Sequence, residues 1–356
     1  MRLTAEQREL GAAVRAVLAR HGGATAWRPL TGQIGIAGLG VPEEYGGTGG
    51  GARERHVVLE ELGRTLSPLP FLGSAVLTTQ ALLATGDERA RARLLPGLAS
   101  GAVVGALAWA EDGSWDPARI RAEAVTGPDG GWRLTGVKEH VLDGADAGLL
   151  LVAARTARGP ALFEVPTDDP RARREALVPV DSTRAQARIV LDGAGGRLLG
   201  ADGDGARVLT HVLDLAATAL AAEQTGAAAH CLESTVAYAG IRHQFGRPIG
   251  SFQAVKHRLA DAYVLIEAAR TAALAAACAA DDRSPALPRL AAAAKSACSE
   301  AFTAVAGEMI QLHGGTALTW EHEAHHYFKR AHTSAQLLGS AAWHRGRLAA
   351  ELGLTG

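Results

Sequence analysis

Two long segments rich in alanine and leucine are joined by a short, rigid turn, and this junction constrains the fold more than any other part of the chain. The turn lies within residues 242–257, where Gly246, Pro248 and Gly250 interrupt the helical pattern. It therefore predicts the end of one helix, a fixed corner and the start of another helix. Cations and aromatic rings gather in this corner, in the order Arg242, Phe245, Arg247, Phe252 and Lys256.

The charge of the corner leaves two interpretations open. Cations and an aromatic surface beside a helix N-terminus can hold an anionic ligand. Alternatively, the corner is an ordinary interhelical turn whose arginines face water. The residues of the corner do not decide between these two interpretations.

A second patterned segment lies nearer the C-terminus. It runs from Gln311 through the glycine pair Gly314-Gly315 to Glu323, and Lys329-Arg330-Ala331 follows it. The two segments, in this order and on predicted helices, resemble the signatures of the acyl-CoA dehydrogenase family, flavoproteins that desaturate acyl thioesters. The likeness extends over nearly the whole chain.

The resemblance implies that the chain binds FAD. In the family, the Arg and Phe of the first signature and the Gln and Gly-Gly of the second contact the pyrophosphate and adenosine of an FAD held mainly by a neighbouring subunit. The residues implied here are Arg242, Phe245, Gln253, Gln311, Gly314 and Gly315. The resemblance also implies an acyl-CoA substrate, an electron-transfer flavoprotein as acceptor, and a homo- or hetero-oligomer with another chain of this type.

Composition and charge exclude several other classes of function. The 356 residues carry a formal net charge of -1 at pH 7, and the pI is about 6.9. The chain therefore has no overall positive field that would favour binding of nucleic acid or anionic lipid. Apolar windows such as 271–280 fall well short of the roughly 20 apolar residues of a membrane span. The three scattered cysteines lack metal-ligand spacing and fit a reducing compartment. We therefore expect a cytoplasmic protein.

Periodicity predicts an α+β fold with three consecutive domains. Residues 1–100 read as an all-helical domain that opens with a capping box at Thr4-Ala5-Glu6-Gln7. Residues 101–205 contain short apolar stretches separated by turns, which predicts a small β-barrel or sandwich. Residues 206–356 read as a C-terminal four-helix bundle with breaks near 246–250 and 281–288. This order agrees with the architecture of acyl-CoA dehydrogenases.

The chain departs from the family at both customary positions of the catalytic base. The medium-chain branch carries its base in a Tyr-Glu-Gly-Thr motif, and the matching residues here are Leu337-Leu338-Gly339-Ser340. The isovaleryl branch uses an Asp-x-Glu-Arg segment, which here reads Asp214-Leu215-Ala216-Ala217. Leu338 and Ala216 therefore stand where carboxylates would be, and Ala217 replaces an Arg that helps to hold CoA.

The part of the family's site that surrounds the flavin ring is altered too. The loop Thr-Glu-Pro-Gly-Ala-Gly-Ser-Asp appears as residues 110–116, which begin Ala110-Glu111-Asp112. The strand Trp-Ile-Thr-Asn, which backs the ring, appears as His140-Val141-Leu142-Asp143. Leu142 has no hydroxyl to donate to the flavin, although a backbone N–H could take its place.

Other candidate catalytic residues were weighed against structural roles. Glu223 lies on an otherwise apolar helix, where a desolvated carboxyl group could act as a base. Helical glutamates more often cap, pair or face water, so a structural role is the commoner interpretation. His322, His325 and His326 include an i, i+4 pair, but without a third ligand of clear spacing we expect no metal site.

Three functions remain open from the sequence. The first is an FAD-dependent acyl-CoA dehydrogenase, or a subunit of one, which works by α-proton abstraction and hydride transfer to flavin. Short chains of this kind resemble subunits of heteromeric enzymes that act on steroid CoA thioesters. The second is a non-catalytic partner subunit that supplies FAD-adenosine contacts. The third is a family relative with altered chemistry, such as a flavin monooxygenase or a dehydrogenase whose acyl substrate is linked to a carrier protein.

Overall fold

The structure is a computed structural model, and it describes residues 2–354. The chain forms two compact units. The helical unit contains residues up to Ala19, then Ala52–Ser67, and the chain from Ala217 onward, whereas the sheet unit contains Arg20–Gly51 and Pro68–Ala216. The N-terminal helices are thus shared between both units, and the three consecutive domain boundaries stay a prediction.

The helical unit begins with helix α1 (Ala5–Arg20), followed in this unit by α3 (Ala52–Arg64). The predicted capping box forms: the Gln7 N–H donates to Thr4 Oγ1 at 3.2 Å, and the Thr4 N–H donates to Gln7 Oε1 at 3.0 Å. The carboxylate of Asp281 caps the start of α3, because it accepts from the Arg53 N–H at 3.1 Å and from Arg53 Nε at 2.8 Å.

The C-terminal region consists of long, alanine-rich helices followed by two shorter ones. Their bounds are α6 Gly205–Ile241, α7 Gln253–Asp281, α8 Leu287–His313, α9 Ala324–Gln336 and α10 Ala341–Glu351. The sequence predicts about four helices here, and the additional one arises because the turn at Leu338 (φ 62°) and Gly339 (φ 99°) interrupts the last helical stretch. Small side chains on α7 and α8, such as Ala273 and Ala294, are fully buried in their common core.

The sheet unit carries its own short helices before the strands begin. They are α2 Trp27–Pro29, the π-helical Leu30–Ile34, the π-helical Phe71–Thr78 that continues into α4 Thr79–Ala84, and α5 Glu88–Ala99. Asp87 caps α5, since its Oδ1 accepts from the Ala90 N–H at 3.0 Å. The sequence predicts a helix at 74–86, and the structure forms its first part as a π-helix.

A seven-stranded sheet forms the rest of this unit. Its strands are β1 Gly105–Ala108, β2 Glu123–Thr126, β3 Trp132–Leu142, β4 Leu149–Thr156, β5 Gly159–Val165, β6 Ala172–Ala176 and β7 Gln186–Leu199. The sequence missed β6, because its residues Ala-Arg-Arg-Glu-Ala are mostly polar and exposed and carry no apolar signal.

The sheet closes on itself. Strands pair in the order β4–β2–β3–β7–β5, and β5 pairs back with β4, while β1 extends the edge of β4 and β6 lies along β7. The ring encloses a core of buried residues that includes Leu134, Leu150, Phe163 and Ile189. This closed sheet, with helical regions before and after it along the chain, confirms the α+β fold predicted from the sequence.

Helix α7 is the one helix among residues 2–354 that is long and apolar enough, by length and composition, to cross a membrane. Buried core helices meet the same criterion, so a single such helix is weak evidence for a span. Three consecutive residues of α7, Tyr263, Val264 and Leu265, remain exposed. Such an exposed apolar strip also suits a contact with another protein chain.

Candidate functional site

The corner predicted from the sequence is a tight hairpin between α6 and α7. Two-residue strands, β8 (His243–Gln244) and β9 (Arg247–Pro248), pair around Phe245 and Gly246, whose φ angles are 54° and 79°. The Ile249 N–H closes the corner by donating to the Arg242 carbonyl at 2.7 Å. Because two successive residues take left-handed angles, the hairpin projects the Phe245 side chain into solvent, with 92% of its surface exposed.

Within the described part of the chain, the cations of the corner have no acidic partners. Among residues 2–354, no ion pair or side-chain hydrogen bond involves the charged groups of Arg242, Arg247 or Lys256, although the Arg247 guanidinium lies 4.1 Å from the centre of the Phe252 ring. All three cationic residues are exposed. The protein is nearly neutral overall, so this corner is a local concentration of uncompensated positive charge.

The glycine pair of the second signature lies just beyond the end of α8. Gly314 has a φ of 60°, and a Cβ built on either Gly314 or Gly315 would have no neighbour within 4 Å. The backbone of this turn is therefore open to an incoming group. Gln311, on the last turn of α8, is exposed as well.

The hairpin and the glycine turn lie at the same end of the helical unit. The rings of Tyr238, in the last turn of α6, and His313 stack with centroids 4.3 Å apart. Near the start of α7, Arg258 Nε lies 2.6 Å from Glu308 Oε2 on α8. The structure thus places all six predicted cofactor residues on neighbouring helix ends, each exposed. Their role in binding FAD stays a prediction.

Glu223, the candidate base, forms a buried ion pair. Its Oε1 lies 2.7 Å from Arg330 Nη1, and both residues are buried. A base needs an unencumbered carboxylate beside its substrate, whereas this carboxylate joins α6 to α9. The geometry favours the structural interpretation of Glu223.

An apolar side chain occupies the medium-chain base position. Leu338 is fully buried in a left-handed conformation, and its carbonyl accepts from His344 Nε2 at 2.9 Å. The carbonyl of the next residue, Gly339, accepts from the buried ammonium of Lys295 at 3.1 Å. Burial lowers the pKa of His344 to about 3, so its imidazole is neutral at physiological pH. The turn is thus anchored from two sides and carries no proton-accepting side chain at its centre.

The second base position is apolar too. Ala216 and Ala217 are fully buried on α6, and neither offers an acid or a guanidinium.

His322, His325 and His326, in and just after the second signature, contact other groups. The rings of His325 and His326 lie 3.9 Å apart, while His322 Nδ1 accepts from the Ala324 N–H at 3.1 Å. Within residues 2–354, no three His, Cys, Asp or Glu side chains are grouped so that they could hold a metal ion.

Sequence reasoning missed two ionisable groups of the sheet unit, one buried and one partly buried. Lys138, on β3, is completely buried and pairs with Glu111, and burial lowers the pKa of Lys138 to about 8. The same glutamate accepts from the backbone N–H groups of Arg121 and Ala122, at 2.8 and 3.0 Å. The second group is Asp143, where burial raises the pKa to about 6 against the effect of Arg184. A lysine within an apolar strand pattern was a usable signal for the first group, but nothing in the sequence revealed the partial desolvation of Asp143.

Comparison with known proteins identifies the family. Residues 4–102 match the family model described as "Acyl-CoA dehydrogenase, N-terminal domain", and residues 203–353 match "Acyl-CoA dehydrogenase, C-terminal domain". The chain is also 43% identical, over 92% of its length and 87% of the relative, to acyl-CoA dehydrogenase IpdE2 of Mycobacterium tuberculosis. The chain belongs to the acyl-CoA dehydrogenase family. The recognition made from the two signatures is confirmed, as is the expectation of a flavoprotein oxidoreductase.

Solved structures of this family have the same fold. A steroid ACAD named Tcur3481-Tcur3483 (G363A variant) superposes with a TM-score of 0.89 at 34% identity, covering 98% of both chains. A chain of the ChsE4-ChsE5 complex from Mycobacterium tuberculosis gives 0.89 at 30% identity, covering 100% of this chain and 99% of that one. Both similarities extend over essentially the complete acyl-CoA dehydrogenase fold.

Proposed function

We propose that this chain is a subunit of an FAD-dependent acyl-CoA dehydrogenase that desaturates a CoA thioester, and that its catalytic base is supplied by another chain. The observation that carries the proposal is Leu338, a fully buried apolar side chain at the position where the medium-chain enzymes of the family place their carboxylate. The alternative position on α6 holds Ala216, and Glu223 is engaged with Arg330.

The exposed corner of the helical unit fits the phosphate-bearing part of FAD. Arg242, Arg247 and Lys256 carry charges that no acidic group among residues 2–354 compensates, and a pyrophosphate would supply that compensation. Phe245 offers an exposed aromatic face, and the open backbone at Gly314 and Gly315 permits close approach of a ligand. When bound, FAD supplies the acceptor for the hydride that leaves the β-carbon of the substrate.

Exposed apolar side chains support assembly with a second chain. The strip on α7, Tyr263-Val264-Leu265, is 44–64% exposed, and Trp320, within the second signature, is 82% exposed. Exposed apolar surface of this kind commonly marks subunit interfaces. A relative solved as the ChsE4-ChsE5 complex motivates a heteromeric partner of the same family.

Substrate, acceptor and location follow as further parts of the proposal. The name of the steroid ACAD relative suggests a bulky, ring-bearing acyl-CoA. Electrons would pass to an electron-transfer flavoprotein, and the reaction would take place in the cytoplasm. A non-catalytic partner role remains the main alternative, in which this chain contributes FAD contacts and structure alone.

Co-expression separates these possibilities. The chain is purified alone and together with an acyl-CoA dehydrogenase homologue, and bound flavin is quantified by absorbance at 450 nm after protein determination. We expect the isolated chain to retain little FAD and the mixed oligomer to retain it. A yellow homo-oligomer that turns over acyl-CoA would contradict the need for a partner. Oxygen consumption by the reduced flavoprotein would instead favour monooxygenase chemistry.

A further inference from the structure

The two segments proposed to bind FAD follow different helices, and a stacked aromatic pair joins them. The hairpin that begins at Arg242 follows α6, and the turn at Gly314 and Gly315 follows α8. Tyr238 lies four residues before Arg242, and His313 directly precedes Gly314. The rings of Tyr238 and His313 stack with centroids 4.3 Å apart and with planes inclined by 23°. This contact therefore lies at the base of both segments.

His313 is fixed by several contacts. Only 4% of its surface is exposed, and its Nδ1 donates to the Met309 carbonyl at 2.8 Å. The ring of His322, which follows the glycine turn, lies 4.7 Å from the His313 ring, and the Tyr238 hydroxyl donates to the His313 carbonyl at 3.4 Å. Because burial and these contacts leave the ring little freedom, His313 holds the end of α8 beside the end of α6.

Backbone hydrogen bonds connect Tyr238 to the hairpin. The Tyr238 carbonyl accepts from the Arg242 N–H at 2.9 Å, and the Arg242 carbonyl accepts from the Ile249 N–H at 2.7 Å. The hairpin also folds back on α6, since a Cβ built on Gly250 would lie 3.0 Å from the carbonyl oxygen of Ala239. The position of Arg242 is therefore set by the last turn of α6, against which His313 packs.

The His313 ring adds no charge to this cationic end of the helical unit. Burial lowers the pKa of His313, and the neighbouring His322 lowers it further, so the imidazole is neutral at pH 7.5. A neutral ring stacks on Tyr238 without the cost of a buried charge. His313 therefore contributes packing and orientation, and it does not attract phosphate groups by charge.

We propose that His313 and Tyr238 form a positioning pair for FAD, which fixes the glycine turn relative to the hairpin so that both segments meet the cofactor in one arrangement. Neither ring is required to contact the cofactor. A ligand that binds two segments at once loses affinity when their separation varies, because binding must then also order the protein. The inference rests on the proposed FAD corner, and every residue that carries it lies in the helical unit.

Calorimetric titration of the flavin-depleted, assembled oligomer with FAD at pH 7.5 tests the pair. We expect His313→Ala to raise the Kd for FAD at least about fivefold, because it removes the stacked ring. His313→Phe keeps a ring against Tyr238, so its Kd should stay within about twofold of the parental value. Tyr238→Phe should also stay within about twofold, since it removes only the long hydroxyl contact with the His313 carbonyl.

The two rings should act as one unit. Tyr238→Ala should raise the Kd as much as His313→Ala does, and the double variant should exceed either single variant by no more than about twofold, because the contact is lost only once. His230→Ala is the matched control: His230 also stacks on a tyrosine, Tyr327, with centroids 4.8 Å apart, but it lies twelve residues before Arg242 on α6. That control should change the Kd less than about twofold.

Thermal unfolding of each variant verifies that the titrations use folded oligomer. If His313→Ala does not assemble, Tyr238→Leu takes its place, because leucine fills space without a flat ring, and the same rise in Kd is expected.

The outcomes separate the positioning pair from the FAD corner itself. Parental FAD affinity in a folded His313→Ala or Tyr238→Leu variant, together with weakened binding by Arg242→Ala, would overturn the positioning pair and leave the corner intact. Unchanged affinity in both Arg242→Ala and His313→Ala would overturn the corner and the pair together. An equal loss in His313→Ala and His313→Phe would also contradict the pair, because stacking would then not be the cause.

Discussion

The backbone of Gly63 on α3 packs directly against the carbonyl oxygen of Glu223 on α6. A Cβ built on Gly63 would lie 2.0 Å from that oxygen, and a Cβ on Gly226 would lie 1.9 Å from the carbonyl oxygen of Glu60. The two helices therefore cross at a reciprocal pair of glycines, where no side chain fits between the backbones.

This crossing makes Gly63→Ala a severe substitution. The added methyl group would clash with backbone atoms of Glu223, and no side-chain rotation can relieve that clash. We therefore expect a loss of at least about 2 kcal/mol in the free energy of unfolding. Urea denaturation followed by circular dichroism measures it. Gly307→Ala is the matched control, because Gly307 also lies inside a helix but has open space around it. That control should be neutral or stabilising by up to about 1 kcal/mol, and equal effects of the two substitutions would contradict the close crossing.

The buried ion pair of Glu223 and Arg330 predicts a large loss of folding stability for a substitution that preserves side-chain size. Glu223→Gln keeps the size of the side chain but removes the negative charge from its buried ion pair with Arg330, so we expect it to cost about 3 kcal/mol of folding free energy. Glu233→Gln, on the same helix, alters an ion pair with Arg64 whose glutamate side chain is 59% exposed, and should cost less than about 1 kcal/mol. The double variant Glu223→Met, Arg330→Met should recover at least half of the loss, measured by the same urea titration.

Arg242 provides the test of the FAD corner. Arg242→Ala in the assembled oligomer should weaken FAD binding by about 1.5–3 kcal/mol, which is the contribution of a charge-assisted hydrogen bond. Calorimetric titration of the flavin-depleted oligomer with FAD measures this loss. Arg258→Ala is the control, since Arg258 is already engaged by Glu308. Retention of parental FAD affinity by the Arg242 variant would remove this residue from the cofactor site.

The lowered pKa of His344 predicts a loss of folding stability at acidic pH. Its folded pKa of about 3 lies below the ordinary value of about 6.5, so the unfolded chain takes up the proton first and stability falls as the pH drops below 6.5. Between pH 7.5 and pH 5 this group should account for about 2 kcal/mol of the loss. His344→Gln should remove that share of the difference between urea titrations at the two pH values, whereas His332→Gln, at an exposed position, should leave the difference unchanged.

The isolated chain should show little or no acyl-CoA dehydrogenase turnover. A positioned general base contributes roughly 10²–10⁴-fold in rate, and Leu338 and Ala216 leave both customary positions without one. The measurement is a steady-state assay of the FAD-reconstituted chain with short-chain, branched and steroid acyl-CoA substrates. Robust turnover that disappears in a folded Glu223→Gln variant would return the role of base to Glu223.

Much of the architecture could be predicted from the amino-acid sequence. The two signatures identified the family and placed the corner at Gly246, and the change in periodicity near residue 102 predicted the transition from helix to sheet. The sequence did not predict strand β6, because this strand is stabilised by pairing along β7 and has no apolar pattern. The sequence did not predict the interruption between α9 and α10, since the left-handed turn at Leu338 and Gly339 is held by Lys295, which lies 44 positions away and donates to the Gly339 carbonyl.

By itself, the sequence determined the α+β fold, the family and the absence of a carboxylate at position 338, because these depend on residue type and order along the chain. Only the tertiary structure decided which ionisable groups are compensated. Glu223 is engaged because Arg330, 107 positions away, lies beside it, and the buried ammonium of Lys138 is compensated because Glu111, 27 positions away, lies beside it. Residue type fixes the charge that a side chain can carry. The free-energy cost and the pKa of that charge depend on its loss of hydration and on the partners that the fold places beside it.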